Sequence, residues 1–166
     1  MKKTLLTMLT LLCLGAVALR AADEADKAAG ASWLEDYAKA KAVAAEKKVP
    51  MLLNFTGSDW CRWCIKLDKE VFSQKVFNDY AEKNLVLMKI DFPMKIEQSE
   101  EVKAQNKKLS EEFKVRGFPT IYLVGADGQI IGRTGYKAGG AEKYVEHLKD
   151  LLKKEQLKKL RPTPTE

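Results

Sequence analysis

Cys61 and Cys64 constrain this chain more than any other feature, because they stand three positions apart shortly after a strand-like run. Residues 51–55 form a short, mainly apolar run, which is typical of a buried strand. The turn-forming residues Ser58 and Asp59 follow, and both can cap a helix that begins near the cysteines. At such a helix start, unpaired N–H groups and the positive end of the helix dipole favour a thiolate, so the pair suits thiol chemistry.

The alternatives to redox chemistry at this pair are weak. A purely structural disulfide across so short a loop would contribute only about 2 kcal/mol in the loop-entropy model. Zinc and iron–sulfur sites normally need four ligands, and the single histidine, His147, stands far along the chain. Haem attachment needs a histidine directly after the second cysteine, where Ile65 stands. We therefore expect a redox-active disulfide, with no metal and no cofactor.

The spacing of the two cysteines also suggests separate roles for them. Residues three apart on a helix have Cβ atoms about 5–6 Å apart, and a small adjustment brings them within reach of a disulfide. We expect Cys61 to be the exposed nucleophile that attacks a substrate disulfide. Cys64 is then the partly buried thiol that resolves the mixed disulfide.

The first 22 residues have the pattern of a secretory signal peptide. Lys2 and Lys3 precede the uncharged apolar stretch 5–19, which at 15 residues is shorter than a membrane-spanning helix needs. Ala21 and Ala22 supply small residues for cleavage. We expect an exported protein, most simply one of the periplasm, and an uncleaved N-terminal anchor is the alternative.

Cleavage after Ala22 changes the composition in an informative way. It removes Cys13, so that the C-x-x-C pair holds both remaining cysteines, and it removes three of the 29 basic residues against 23 acidic ones. The resulting charge of 26 − 23 = +3 gives no indication of a nucleic-acid partner. The rest of the chain divides into a leader at 23–30, one domain at 31–155, and a basic, proline-containing tail at 156–166.

Helical and strand-like patterns alternate along the domain and predict an α/β protein. A right-handed crossover makes the first two strands parallel, and the Asp127-Gly128 turn joins an antiparallel hairpin. The result is a three-layer α/β/α sandwich around a central mixed sheet of four to five strands. The predicted elements are a helix at 33–48, a strand at 51–55, a helix from Trp60 that breaks near Phe72, a helix capped by Ser73 and ending near Glu82, a strand at 85–90, a helix at 100–113, the hairpin strands 120–124 and 129–134, and a helix from Gly139 to about Leu160.

Two motifs together connect the chain to a known family. Residues 60–64 read Trp-Cys-Arg-Trp-Cys after a strand, and residues 116–120 read Arg-Gly-Phe-Pro-Thr before another. With these motifs in this element order, the chain resembles the thioredoxin superfamily over about residues 33–152. Within it, residues 54–77 are similar to the exported thioredoxin-like group that includes DsbH and the C-terminal domain of DsbD. The resemblance implies a thioredoxin fold.

The resemblance also implies a substrate-binding surface beside Cys61 and Cys64. It implies that the Phe118–Pro119 peptide bond is cis and faces the cysteines, so that the backbone at Phe118 can pair with an extended substrate. Trp60 would form part of the apolar rim that receives substrates. A trans proline that opens a strand is the alternative for Pro119, and an ordinary core aromatic is the alternative for Trp60.

The chain departs from the family pattern at two places. Many thioredoxins have a buried aspartate on the first central strand, where it manages the proton of the second cysteine, and Asn54 stands near that position. Because asparagine cannot act as a base, water or another group such as Glu70 would take that proton. The Arg62-Trp63 pair between the cysteines matches neither the common thioredoxin pair nor those of the best-known oxidases, so the resemblance implies no reduction potential.

Together these features predict an exported thiol–disulfide oxidoreductase, and the leading interpretation is a reductase of protein disulfides. Outside the cytoplasm a reductase needs electrons, which implies a membrane-embedded thiol donor as partner. The alternatives are an oxidase or isomerase, and a client-binding module that uses the groove beside Trp60 and Phe118 with little redox turnover. The oligomeric state stays open.

Overall fold

The computed structural model describes residues 32–160. The predicted signal peptide at 1–22 and the predicted leader at 23–30 lie outside the described residues. Within the described range, no helix is both long enough and apolar enough to cross a membrane.

Helices and strands alternate through most of the described chain, and the last two strands form a hairpin. In chain order they are β1 (Trp33–Leu34), α1 (Tyr37–Lys47), β2 (Met51–Thr56), α2 (Arg62–Leu67), a π-helical turn (Asp68–Phe72), α3 (Lys75–Asn84), β3 (Val86–Asp91), α4 (Glu100–Glu112), β4 (Thr120–Val124), β5 (Ile130–Thr134) and α5 (Gly140–Leu160).

The five strands form one mixed sheet in the order β1-β3-β2-β4-β5. β1, β3 and β2 are parallel, whereas β4 is antiparallel to β2 and to β5. Because β4 runs against β2, its first residue, Thr120, lies beside Phe55 near the end of β2. The segment before β4 and the cysteine segment after β2 therefore meet at the same edge of the sheet.

The helices cover both faces of the sheet and give the predicted three layers. On one face, α1 and α4 pack on the side chains of alternate strand residues such as Leu53, Phe55 and Ile90. On the other face, α2, the π-helical turn, α3 and α5 pack on Leu52, Leu87 and their neighbours. Each face has its own buried apolar cluster, and the predicted α/β/α sandwich is confirmed.

The first predicted helix begins later than expected. Trp33 and Leu34 are not helical but form a short strand that pairs with Leu87 and Met88 of β3. Helix α1 begins at Tyr37, where the Asp36 side chain accepts a hydrogen bond from the Lys39 N–H at 3.0 Å. The prediction was wrong here because the partner of this strand lies more than fifty positions away in the sequence.

The predicted break near Phe72 is present, but its geometry differs from the prediction. The helix after the cysteines passes into a π-helical turn, and Ser73 ends that turn instead of capping α3. The Ser73 hydroxyl donates to Asp68 at 3.1 Å, and Gln74 is the N-cap of α3 without a side-chain hydrogen bond. The extra residue in the π-helical turn supplies the break that the serine was expected to make.

The last helix runs past the predicted domain boundary at 155. Helix α5 continues through Leu160, so residues 156–160 of the predicted tail are helical, and 161–166 lie outside the described residues. Near its end, the Lys159 ammonium lies 2.9 Å from the Asp127 carboxylate in the β4–β5 turn. This exposed ion pair joins the helix end to the hairpin.

Candidate active site

The two cysteines lie at the carboxyl end of β2, on the first turn of α2. Cys61 is the N-cap of that helix, and its Sγ accepts a hydrogen bond from the Cys64 N–H at 3.3 Å. The two sulfurs are joined in a disulfide, with the Cα atoms 5.2 Å apart. An N–H that already points at the Cys61 sulfur would stabilise a thiolate there once the bond is reduced.

Both cysteines are more enclosed than expected. Cys61 is 7% exposed and Cys64 is 4% exposed. In this disulfide state Cys61 is the less buried of the two but is not exposed, and its role as the exposed nucleophile of the dithiol stays a prediction. The side chains around the disulfide therefore decide how a substrate reaches the two sulfurs.

Ser58 and Asp59 hold the segment before the cysteines, but not as helix caps. The Ser58 N–H donates to the Asp91 carboxylate at 2.9 Å, and the Ser58 hydroxyl donates to its other oxygen. The Asp59 carboxylate accepts hydrogen bonds from the backbone of Met94 at 3.0 Å and of Lys95 at 2.6 Å. These bonds, that of Met94 first, hold the pKa of Asp59 below its ordinary value. Ser58 thus ties the cysteine segment to the end of β3, and Asp59 ties it to the residues that follow β3.

Trp60, directly before Cys61, forms one side of the aromatic surface next to the cysteine segment. Its indole N–H donates to the Phe92 carbonyl at 2.8 Å, and its ring meets the Phe118 ring edge to face at 5.9 Å. The side chain is 40% exposed, so it lies at the surface and not within the core. Its ring lies against Gly57, where an added Cβ would come within 2.5 Å of it. Only glycine at 57 leaves the ring this position.

Phe118 and Pro119 lie at the same edge of the sheet, just before β4. The peptide bond between them is cis. The Phe118 ring packs on Trp60 and also on Phe92, with ring centroids 5.2 Å apart in the second pair. The structure thus brings Trp60 and Phe118 into contact beside the cysteine segment, as their places in the predicted sheet require.

A second aromatic wall follows the disulfide, and sequence reasoning did not identify it. The Trp63 ring packs on the Tyr136 ring at 5.1 Å, and the Lys66 ammonium lies over both rings at 5.3 and 5.2 Å. The Tyr136 hydroxyl donates to Glu70 at 2.7 Å, and Lys66 lies 3.8 Å from the same carboxylate. Tyr136 follows β5, so only the folded sheet brings it beside α2.

The structure offers no metal site in the part of the chain that it describes: no three histidine, cysteine or acidic side chains there come together as ligands. Asn54 lies on β2, close to the start of the cysteine segment. Its side chain is buried, and its Oδ1 has no hydrogen-bond partner. The carboxylate of Glu70, the other residue considered for the Cys64 proton, is bound to Tyr136 and Lys66.

A paired-cysteine helix start on this fold defines a thiol–disulfide oxidoreductase. The chain belongs to the thioredoxin-like domain family, which it matches over residues 37–152. It is 38% identical to the disulfide bond reductase DsbH of Chlamydia pneumoniae over 126 residues, which are 76% of this chain and 75% of that protein. The predicted resemblance to the thioredoxin superfamily and to DsbH is confirmed.

Two solved structures show the same fold. A DsbH oxidoreductase superposes with a TM-score of 0.72 at 37% identity, covering 75% of this chain and 86% of that one. A thioredoxin from Thermus thermophilus superposes with a TM-score of 0.57 at 17% identity, covering 76% of this chain and 91% of that one. At that identity the second likeness supports the fold alone.

Proposed function

We propose that this chain is an exported reductase of protein disulfides, with Cys61 as the nucleophile and Cys64 as the resolving thiol. The observation that carries the proposal is the Cys61–Cys64 disulfide at the start of α2, with an N–H directed at the Cys61 sulfur. The direction of the reaction is supported by similarity to a protein named disulfide bond reductase.

The reaction follows from the dithiol form of the pair. The Cys61 thiolate attacks one sulfur of the substrate disulfide, and the other substrate sulfur leaves and takes up a proton. The Cys64 thiol then gives up its proton and attacks the Cys61 sulfur, which releases the second substrate sulfur as a thiol. The substrate gains two electrons and two protons, and the Cys61–Cys64 disulfide forms.

Trp60, Phe118 and Pro119 are proposed to bind the segment that carries the substrate disulfide. Trp60 offers an exposed ring beside the cysteines and contacts Phe118 edge to face. An extended segment can pair with the backbone at Phe118, where the following proline has no N–H to compete for the thiols. The substrate would then be selected both by the position of its disulfide relative to Cys61 and by apolar contact with Trp60 and Phe118.

Location and electron supply complete the proposal. The signal-like residues 1–22 favour export, most simply to the periplasm. After each turnover the pair is a disulfide, so a second dithiol must reduce it. We propose a membrane-embedded thiol donor for that step, because an exported protein has no access to cytoplasmic thiols.

Variants of the two cysteines test the roles. Cys61→Ser is expected to abolish reduction of a protein disulfide, whereas Cys64→Ser is expected to accumulate a mixed disulfide through Cys61. Non-reducing gels and mass spectrometry would identify the linkage. Adducts that form through Cys64 in a Cys61→Ser protein would reverse the assignment.

The reduction potential of the pair tests the direction. Equilibration with glutathione or dithiothreitol is expected to give about −230 to −270 mV, the range of glutaredoxin- and thioredoxin-like couples. A value near about −120 mV would indicate a disulfide donor and overturn the reductase proposal. Alkylation of both cysteines tests the binding-module alternative. That alternative would be favoured if the unmodified protein shows no measurable turnover and the alkylated protein still binds clients.

A further inference from the structure

Two exposed apolar side chains follow β3 and take no part in the core. Met94 is 74% exposed and Ile96 is 58% exposed, and both lie in residues 92–96, here called the β3–α4 segment. Neither belongs to the apolar cluster on either face of the sheet. Where exposed apolar side chains lie together, they commonly mark a surface that binds a partner.

Hydrogen bonds fix the β3–α4 segment to the cysteine segment. The Trp60 indole N–H donates to the Phe92 carbonyl at 2.8 Å. The Asp59 carboxylate accepts from the backbone N–H groups of Met94 at 3.0 Å and of Lys95 at 2.6 Å. The two residues directly before the cysteine pair therefore hold the exposed apolar side chains in a defined place beside it.

A cleft of about 350 Å³ lies between the β3–α4 segment and α4, a volume within the range of ligand pockets. Its lining is apolar on the side of the segment and cationic on the side of the helix: Phe92, Pro93, Ile96, Lys103 and Lys107. The buried side-chain amide of Asn106 also lines it and donates to the Asp91 carbonyl at 2.9 Å. This bond joins α4 to the end of β3 and so fixes the two sides of the cleft relative to each other.

The cleft continues the surface that is proposed to bind the substrate. Phe92 lines the cleft, and its ring packs on the Phe118 ring with the centroids 5.2 Å apart. The Phe118 ring in turn meets the Trp60 ring at 5.9 Å. A substrate segment that pairs with the backbone at Phe118 can therefore extend over Phe92 to the cleft without leaving an apolar surface.

The charges around the cleft favour a partner with a carboxylate. Lys103 is already paired with Glu100 at 2.8 Å, whereas Lys107 forms no ion pair with any carboxylate of the described residues. The Asp91 carboxylate points to the other face of the sheet, where Ser58 donates to both of its oxygens. The charge left unpaired at the cleft is thus the positive charge of Lys107, which an acidic ligand complements.

We propose that this cleft is a second subsite of the substrate site, which takes an apolar side chain of a substrate protein with an acidic residue next to it. The inference rests on the proposed function, because it names the class of protein segment whose disulfide the cysteine pair reduces. The apolar side chain packs on Phe92 and Ile96, and the neighbouring carboxylate pairs with Lys107. Disulfides that lie near such a pair of residues are then reduced in preference to others.

Reduction of disulfide peptides by the pre-reduced protein tests the proposal. One series carries Leu-Glu at successive positions on either side of the same disulfide, and matched series carry Leu-Lys or Ser-Ser there. At the position that reaches the cleft, we expect the second-order rate constant for Leu-Glu to exceed that for Leu-Lys by about fivefold. It should exceed that for Ser-Ser by about tenfold. Hydroxyethyl disulfide, which is too small to reach the cleft, supplies the reference rate.

A charge reversal separates a subsite from a merely structural role. Lys107→Glu is expected to invert the preference, so that the Leu-Lys peptide becomes the better substrate. Lys108→Glu is the matched control, because this exposed lysine stands one position further along α4 and does not line the cleft. The control makes the same change in charge and should keep the preference of the parent protein.

An apolar-to-polar change tests the other half of the subsite. Ile96→Ser is expected to lower the rate for the Leu-Glu peptide relative to hydroxyethyl disulfide by about fivefold, through a higher half-saturation concentration. Ile130→Ser is the matched control, because Ile130 is 54% exposed and lies at the end of the sheet opposite the cysteine segment. It should keep the ratio of the parent protein.

The outcomes separate this inference from the reductase proposal. Equal rates for the three peptide series at every position, or a preference that Lys107→Glu does not invert, would overturn the subsite while disulfide reduction by the parent protein stands. If Ile96→Ser converts a dimer into a monomer at the assay concentration, the patch binds a second copy of the chain, and the subsite is overturned as well. If the parent protein reduces none of these disulfides, the proposed function fails first, and this inference fails with it.

Discussion

Along β2 and β3, the side chains that face α1 and α4 stay apolar to the end of each strand, whereas those that face α2 and α5 change from apolar to polar over the last residues. On the first face, Phe55 and Ile90 are fully buried at the carboxyl ends. On the second face, Leu52 is followed by Asn54, and Leu87 is followed by Lys89 and Asp91.

The difference shows how one sheet serves two purposes. On the apolar face, a substitution that shortens a buried side chain destabilises the protein, because each removed methylene leaves a cavity. On the other face, the polar side chains of Asn54, Lys89 and Asp91 stand where the apolar cluster ends. Asp91 in this row holds the cysteine segment by its hydrogen bonds with Ser58. At the carboxyl ends of β2 and β3, next to the cysteine segment, side chains still alternate between the two faces of the sheet, but those on the second face are polar.

The largest expected effect is on the apolar face. Phe55→Ala removes a fully buried ring that packs on Phe113 at 5.7 Å and on Tyr122 at 6.1 Å. We expect the free energy of unfolding to fall by about 3–5 kcal/mol, measured by denaturant titration of the oxidised protein. The reduction potential of the remaining folded protein should not change. A marked shift in that potential would mean that the two faces are not separable in the way described.

An intermediate effect is expected in the polar row. Asp91→Ala leaves the Ser58 N–H and hydroxyl without their acceptor, and we expect a loss of about 1–3 kcal/mol in stability. Because Ser58 then no longer fixes the segment before the cysteines, kcat/KM for protein-disulfide reduction should fall about tenfold or more. Asp91→Asn, which keeps one acceptor oxygen, is the control and should lose less of both. Equal losses in the two variants would point to the charge of Asp91 and not to its hydrogen bonds.

The smallest effect is expected at His147 on α5, outside the cysteine segment. His147 Nε2 lies 3.0 Å from the Thr134 hydroxyl, and burial, followed by the charge of Lys137, lowers the pKa of its imidazole. A lowered pKa in the folded state means that the unfolded chain binds the proton more readily. The contribution of His147 to stability is therefore present above about pH 6.5 and declines as the pH falls through the lowered value.

His147→Gln should remove that part of the pH dependence while leaving reductase activity unchanged. Thermal unfolding of both proteins across the mildly acidic range measures it, and the variant should give the flatter curve. A steeper curve in the variant would contradict the direction of the pKa shift.

Much of the fold could be predicted because its signals are local. The mainly apolar run that forms β2 and the Asp127-Gly128 turn between β4 and β5 both depend on residues close together in the sequence. The errors come from contacts that are distant in sequence. Trp33 was predicted to be helical because its strand partner, Leu87, lies beyond five intervening elements of the chain.

The site shows the same division. Cys61, Cys64, Trp60 and Phe118 could be named from two short motifs, and the structure brings the two aromatic rings together. The second aromatic wall could not be predicted from the sequence, because no residue near Tyr136 in the chain indicates that Tyr136 packs on α2. Its members are Trp63, Lys66, Glu70 and Tyr136.

The sequence by itself determined the chemical class of this protein, because a pair of cysteines three apart at a helix start carries thiol chemistry wherever such a turn forms. It also determined the order of the elements, since hydrophobic period and turn residues act over short distances. Only the tertiary structure decided what surrounds the pair. Ser58 and Asp59 hold distant partners instead of capping α2, and Asn54 Oδ1 is left without one, because these contacts depend on which strands lie side by side.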